Sequence, residues 1–272
     1  MSVMSYNGAA IIGTRNVCFF LPLLRAHNHH RSKLLSKSVS DLSRRRRRFP
    51  RQKRFVRLLT EIRLLNALVT LIILLTHHEA MCGHECVAIA SDNRLGINQQ
   101  QTTAVDFQKI FQIHPRLFLA MSGLASDAHT LKATFEFKHK LYELRENRVM
   151  EPKTFASVVS TTLYEKRFGP YYVEPVIAGL DKEAKPYVTG MDLIGAAAPT
   201  ENFVVAGNNS ESLFGVCESM YKENLEPEEL FEVISQCLLS GSGRDCLSGW
   251  GGTVYLITKD KVEVKSLKGR MD

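Results

Sequence analysis

The sequence predicts an α+β fold, a four-layer α-β-β-α sandwich, and three observations carry that reading. From residue 83 onward, short apolar runs ending at Gly or Asp alternate with paired helical patterns, in the order strands, two helices, strands, two helices, strands. Both faces of such sheets need covering, and one pair of helices is available for each. At 272 residues and 44% hydrophobic content, the chain can bury a proper core.

The first strands are read at 85–92 (ECVAIASD) and 116–123 (RLFLAMSG). A helix follows at 126–147, where Leu131, Thr134, Phe135, Lys138, Leu141 and Tyr142 recur at three- and four-residue steps and Ser126 and Asp127 can cap the start. The second helix, 152–168, begins with Pro152 in its first turn and sets Phe155, Val158, Val159 and Leu163 on one face. Strands are expected at 174–181, 185–192 and 202–207, and helices at 210–222 and 226–240. The latter helix carries Leu230, Ile234, Cys237 and Leu238 in register, and GSGR at 241–244 reads as its stop. Residues 252–267 close the chain as a hairpin around Lys259 and Asp260.

Residues 13–79 have a different grammar. Apolar bursts, a His-rich patch and the run Arg44–Arg48 follow one another without a sustained helical or strand period. This segment holds fifteen Lys/Arg against Asp41, Glu61 and Glu79, whereas the remainder carries twenty basic against twenty-five acidic residues. The net charge of +7 therefore belongs to one insert and does not mark the whole protein as a partner of acidic molecules. The apolar run 17–24 meets Arg25 and histidines where a signal-peptide cleavage site should lie, and the run 64–75 is too short to span a bilayer. Six cysteines, Cys18, Cys82, Cys86, Cys217, Cys237 and Cys246, are scattered too widely for a disulfide scaffold and suit reduced thiols inside a cell.

Several strings together resemble one family. VAIASDNRLG (87–96), DFQKIF (106–111), LYELRENR (141–148), LYEKRFGPYY (163–172), EPVIAGLD (174–181), RDCLSGWGG (244–252) and the terminal LKGRMD are similar to the proteasome beta-type subunits, which have the N-terminal-nucleophile hydrolase fold. The resemblance runs from Gly83 to Asp272 and resumes in residues 1–12. It implies a domain organisation of 1–12 as the first strand of the sandwich, 13–79 as an insert, and 80–272 as the beta-type domain.

In active members of that family, a threonine at the freed chain start attacks the substrate, and its own α-amino group serves as the base. Carried over residue by residue, the resemblance makes Asp92 the supporting aspartate, Lys109 the lysine, with one extra residue between them, and Gly123 the oxyanion-hole glycine. Asp245 and Ser248 match the distal pair, and Asn208 stands where active members usually have serine. Counting sixteen residues back from Asp92, with 13–79 skipped, lands on Ala9, which has no hydroxyl. Gly13-Thr14 looks like a cleavable pair, but sixteen residues beyond Thr14 lies His30, outside any strand. The expectation is a vestigial constellation (Asp92, Lys109, Gly123, Asp245, Ser248) with no catalytic residue, no cofactor and no metal. The resemblance then implies a non-catalytic structural subunit that assembles with alpha and beta subunits in stacked seven-membered rings, in cytoplasm and nucleus. The contact segments expected are EKRFGPYY and KSLKGRMD, the first rich in the Arg, Tyr and Phe that interfaces favour.

Two other classes compete. An autonomous threonine peptidase needs an exposed N-terminal threonine. A nucleic-acid or membrane arm would use the Arg44–Arg48 run, but only Phe49 and Phe55 accompany it and no recognised module surrounds it, so neither partner is expected. The stretch HHEAMCGHEC offers His77, His78, Cys82, His84 and Cys86 as zinc ligands, yet 82, 84 and 86 on one strand face are too collinear to close a tetrahedron. GSGR lacks the Lys-Ser/Thr ending of a phosphate loop.

Removing 13–79 joins MSYNGAAII to AMCGHECVAIASD as one continuous hairpin. The piece is 67 residues, a whole number of codons. With GGT at Gly13 and GAA at Glu79, it begins with GT and ends with AG at the nucleotide level, and excision restores an alanine codon at Ala80. The insert is therefore read as a disordered segment, or as the product of a retained intron or a misread gene.

Overall fold

A computed structural model describes residues 5–6, 9–10, 74–75, 77–97 and 101–271. Most of 13–79, with Thr14, the Arg44–Arg48 run and the apolar run 17–24, lies outside the described residues. Two units are distinguished, residues 1–71 and 72–272. In the first, β1 (Ser5–Tyr6) pairs antiparallel with β2 (Ala9–Ala10), in the register Ser5 to Ala10 and Tyr6 to Ala9. The Asn-Gly dipeptide between them in sequence is the one favoured by two-residue hairpin loops.

The second unit holds the sandwich. One sheet is five-stranded among the described residues, in the order β13 (Phe203–Gly207), β4 (His77–Cys82), β5 (Cys86–Asp92), β14 (Gly252–Thr258), β15 (Val262–Leu267). The other runs β12 (Ala197–Thr200), β11 (Pro186–Met191), β10 (Val173–Leu180), β9 (Leu117–Leu124), β3 (Leu74–Leu75), β6 (Leu95–Ile97), β7 (Gln101–Ala104), with β8 (Ile110–His114) also on β9. Helices α1 (Ala125–Glu146) and α2 (Pro152–Glu165) cover the eight-stranded sheet, and α3 (Ser210–Met220) and α4 (Pro227–Ser242) cover the five-stranded one.

Strand alternation sorts side chains between layers. Along β9, Leu117, Leu119 and Met121 pack toward α1 and α2 with Phe135, Phe155 and Val159, whereas Phe118 and Ala120 face the opposite sheet. On β5, Val87 and Ile89 enter the inter-sheet core, while Ala88 and Ala90 meet Leu230, Ile234 and Leu238 of α4. Three apolar layers thus separate the four layers of backbone, as the α-β-β-α reading requires.

Local details depart from expectation for physical reasons. Helix α1 starts directly from β9, so Leu124 is its N-cap, without a side-chain bond. Ser126 and Asp127 therefore lie inside the first turn, and the Asp127 carboxylate instead accepts the Tyr172 backbone N–H at 3.1 Å. Helix α4 continues through Gly241 and Ser242 to a cap at Gly243. Gly241 is small for packing, since a Cβ there would lie 2.3 Å from Leu213 Cδ2. Cys82 ends one strand and Cys86 begins the next, with a turn at 83–85 between them, so 82–86 are not one strand. Cys82 faces the inter-sheet core, Cys86 faces the helices, and His84 is exposed. Burial also pushes the Cys82 thiol up to about 12 and Cys86 up to about 11. Among the described residues no helix is long and apolar enough to cross a membrane.

Candidate functional site

Asp92 ends β5, where the strand leaves the sheet and its carboxylate meets backbone donors from three segments. His77 N–H donates to Oδ1 at 3.3 Å, Arg94 N–H to Oδ2 at 3.2 Å and Gly249 N–H to Oδ2 at 3.4 Å. Lys109, just before β8, donates from Nζ to Asp92 Oδ1 at 2.5 Å, and both side chains are fully buried. Burial pushes the Lys109 ammonium below its ordinary pKa, and the facing Asp92 charge pulls it back up.

A second group lies alongside. Ser248 donates to Asp245 Oδ2, and Asn208 Nδ2 donates to the two oxygens of the same carboxylate at 3.2 and 3.4 Å. The Leu247 N–H donates to Oδ1 at 3.2 Å. His77 joins the two groups, because its backbone N–H reaches Asp92 and its Nδ1 lies 2.6 Å from Ser248 Oγ. Since the Ser248 proton goes to a carboxylate, His77 Nδ1 is the donor in that contact. Serine therefore sits between the acid and the imidazole, the wrong order for a base to activate it. Burial pushes the His77 pKa down, Asp92 opposing, and the ring is held neutral.

Gly123 lies at the far end of β9 with φ +104°, and a Cβ there would come 2.1 Å from the Tyr172 carbonyl oxygen. That conformation and that approach both call for glycine. The β9 edge beside it is taken: Leu75 of β3 pairs with Gly123 and with Leu95 of β6. An extended peptide seeking the groove between β6 and β9 would have to displace the chain's own strand.

The structure brings Asp92, Lys109, Asp245 and Ser248 into one network, with Asp245 at its partly exposed rim, and sets Gly123 on the edge that β3 fills. The side chain of Ala9 lies outside the described residues. Two participants escape the sequence reading. Arg94, two residues after Asp92, donates from Nη1 to the Leu247 carbonyl at 2.7 Å and from Nε to Thr102 Oγ1 at 3.0 Å, lacing the two halves. His77, in the sequence only a candidate zinc ligand, is the other. Its place also brings Thr76 forward: along the uninterrupted chain, sixteen residues before Asp92 is Thr76, itself outside the described residues.

Residues 79–257 match the Proteasome subunit family, and the chain belongs to it. It is 61% identical over 193 residues to the proteasome subunit beta type-3 of Picea mariana, covering 71% of this chain and 94% of that one. The beta type-3 subunits of Oryza sativa subsp. japonica (60% over 193 residues) and Drosophila melanogaster (52% over 194) match with the same coverage. Its place in the family is thus among the beta type-3 subunits of the 20S core.

Proposed function

We propose that this chain is a non-catalytic, structural beta subunit, which shapes the ring and degradation chamber while neighbouring subunits cut. The observation that carries this reading is the residue found sixteen positions before Asp92, the count at which active members place their threonine. Ala9, at the nucleophile's count when 13–79 is skipped, has no hydroxyl. Thr76, at the same count along the uninterrupted chain, follows Leu75 instead of glycine. Within the chain its nitrogen is an amide, which cannot act as the base. The network of Asp92, Lys109, Asp245 and Ser248 then serves as a structural cluster around the buried Asp92–Lys109 pair, kept because breaking that pair leaves uncompensated charge.

The partners are alpha and beta subunits in stacked seven-membered rings, in cytoplasm and nucleus. Within EKRFGPYY, Phe168 is 91% exposed, and Arg167 lies over the rings of Tyr164 and Phe168 at 4.6 and 4.5 Å. Such a solvent-facing aromatic and guanidinium stack is the composition of an interface anchor. At the chain end, Lys268 and Arg270 border a groove of about 890 Å³ with Arg244, Asp245 and Ser248, fit for a neighbour's acidic segment.

The test is a peptide electrophile that reacts only with a free N-terminal threonine, applied to purified core particles. No label on this chain is expected, while its catalytic neighbours are modified. Label on Thr76, or on any threonine of this chain, overturns the reading.

A further inference from the structure

We infer that the subunit which folds and assembles lacks residues 13–79, and that Ala10, Ile11 and Ile12 fill the strand positions that His77, His78 and Glu79 hold in the 272-residue chain. The inference rests on four observations, none of which concerns catalysis.

The first is burial without partners. His77, His78 and Glu79 are each 0% exposed, on a strand paired on both sides, between β13 and β5. Among the described residues five buried side-chain polar atoms lack a hydrogen bond of good geometry, and four of them are His77 Nε2, both ring nitrogens of His78, which has the Glu174 backbone nearby, and Glu79 Oε1. Folded proteins satisfy nearly all such atoms, so a concentration on three consecutive residues marks a segment unsuited to its slot.

The second is what surrounds them. His78 pairs across the sheet with Ser91 and Ala206, on the face that enters the inter-sheet core. Glu79 lies on the other face against Cys217 of α3, which donates to Oε2 at 3.3 Å, with α4 alongside. The Glu79 environment is built for apolar side chains, whereas His78 has Ser91 opposite it and the Asp92–Lys109 pair nearby. Excision, which advances the register by 67, puts Ile11 at the His78 position and Ile12 at the Glu79 position. The volumes are similar, and β-branched residues suit a central strand. Ala10 at the His77 position leaves Asp92 its bonds to Lys109, Arg94 and Gly249.

The third is where the family begins. The match starts at residue 79, the last residue of the segment. The fourth is coverage. The match spans 94% of the relative in 193 residues that include none of 13–71, so the relative has no counterpart of most of the insert within the matched stretch.

The experiment tags the C-terminus at the gene's own locus, captures the tagged chain, and measures its intact mass in assembled and unassembled fractions separated by sedimentation. The expected result is a chain of 205 residues, 272 less 67, in the assembled fraction, with a peptide joining Ile12 to Ala80. A 272-residue chain in assembled particles overturns the inference. So does a Gly13 codon other than GGT, for an excision that starts within that codon. A tagged chain absent from assembled particles counts against the ring reading instead, and the mass of the captured pool still decides the excision. As a second arm, the 272-residue chain and its His77→Ala/His78→Ile/Glu79→Ile variant are each co-expressed with the other core subunits. The triple variant should raise the soluble yield of this chain at least tenfold. An unchanged or lower yield would show the polar residues to be suited to the slot and would sink the argument from burial.

Discussion

Lys109 Nζ and Asp92 Oδ1 stand 2.5 Å apart with no solvent access to either side chain, joining the residue before β8 of one sheet to the end of β5 in the other. Taking two charges out of water is costly, and what makes the pair tolerable is completeness: Asp92 also receives N–H groups from His77, Arg94 and Gly249. The pair therefore acts as a clasp between sheets whose loss exceeds its net worth.

Replacing Lys109 with methionine should cost about 3–5 kcal/mol, because the Asp92 charge stays buried without its cation. The double variant Lys109→Met/Asp92→Asn should recover more than half of that loss. Urea denaturation of the three proteins measures both numbers. A Lys109→Met cost below about 1 kcal/mol would mean that the ammonium contributes no more than an exposed partner does.

Gly123→Ala should be among the most damaging single-methyl additions in the chain. The new Cβ would lie 2.1 Å from the Tyr172 carbonyl oxygen, on a backbone with φ +104°. Since Leu124 N–H also donates to that carbonyl at 2.7 Å, moving it away breaks a bond as well. A loss of at least about 2 kcal/mol is expected from strain and the broken bond together. Thermal unfolding tests it; a variant within about 0.5 kcal/mol of the parent refutes the close approach.

Phe168→Glu should leave folding intact and weaken assembly. Phe168 is 91% exposed, so its loss opens no cavity, whereas a central interface aromatic carries about 2 kcal/mol or more, roughly a 30-fold change in affinity. Sedimentation of the variant with the other core subunits reads this out. Normal incorporation would remove Phe168 from the contact surface.

The 272-residue chain should show stability losses on both sides of a maximum near pH 6.5. Burial lowers His77 and His78, the latter to about 3, while each returns to its ordinary 6.5 on unfolding. As pH falls below 6.5 the unfolded chain therefore binds more protons, and the fold loses up to about 1.4 kcal/mol per pH unit per histidine. The groups facing His77 are Asp92, Lys109 and Asp245, and those facing His78 are His77, Lys109 and Asp92. Glu79, beside Cys217 and Cys237, is raised well above 4.5 by burial. It keeps its proton in the fold after the unfolded chain has released it, so its contribution falls as pH rises above the unfolded 4.5, opposing the two histidines up to about 6.5 and standing alone above that for as long as the folded carboxyl keeps its proton. Urea midpoints at about pH 5, 6.5 and 8 should trace this peak, and the chain without 13–79 should lack these contributions. Matching profiles for the two chains would contradict it.

Much of the fold is legible in the sequence because burial imposes a period. The steps through Leu131, Phe135 and Tyr142, and through Phe155, Val159 and Leu163, can serve only a helix with one covered face, and α1 and α2 lie where they predict. Strands β6, β7, β8 and β12 escape such reading. They are three to five residues long, and β7 has no buried side chain, so they exist through pairing with a neighbour and not through their own pattern. Residue types at Asp92, Lys109, Gly123, Asp245 and Ser248 suggest a site through family likeness alone.

The sequence by itself determined which chemistry was on offer: two carboxylates, a lysine, a serine, and an alanine at the expected nucleophile's count. Only the tertiary structure decided how these are used. Asp92 and Gly249 are 157 residues apart yet hydrogen-bonded, and the charges are satisfied by backbone donors that no spacing rule reveals. It also decided what occupies the strand between β5 and β13. Nothing in the string His-His-Glu announces burial, but the slot between β5 and β13 is dry on both faces, and whatever chain enters it must leave water behind. That is a property of the neighbours and not of the segment, which is why the misfit of His77, His78 and Glu79 appears only once the sheets are assembled.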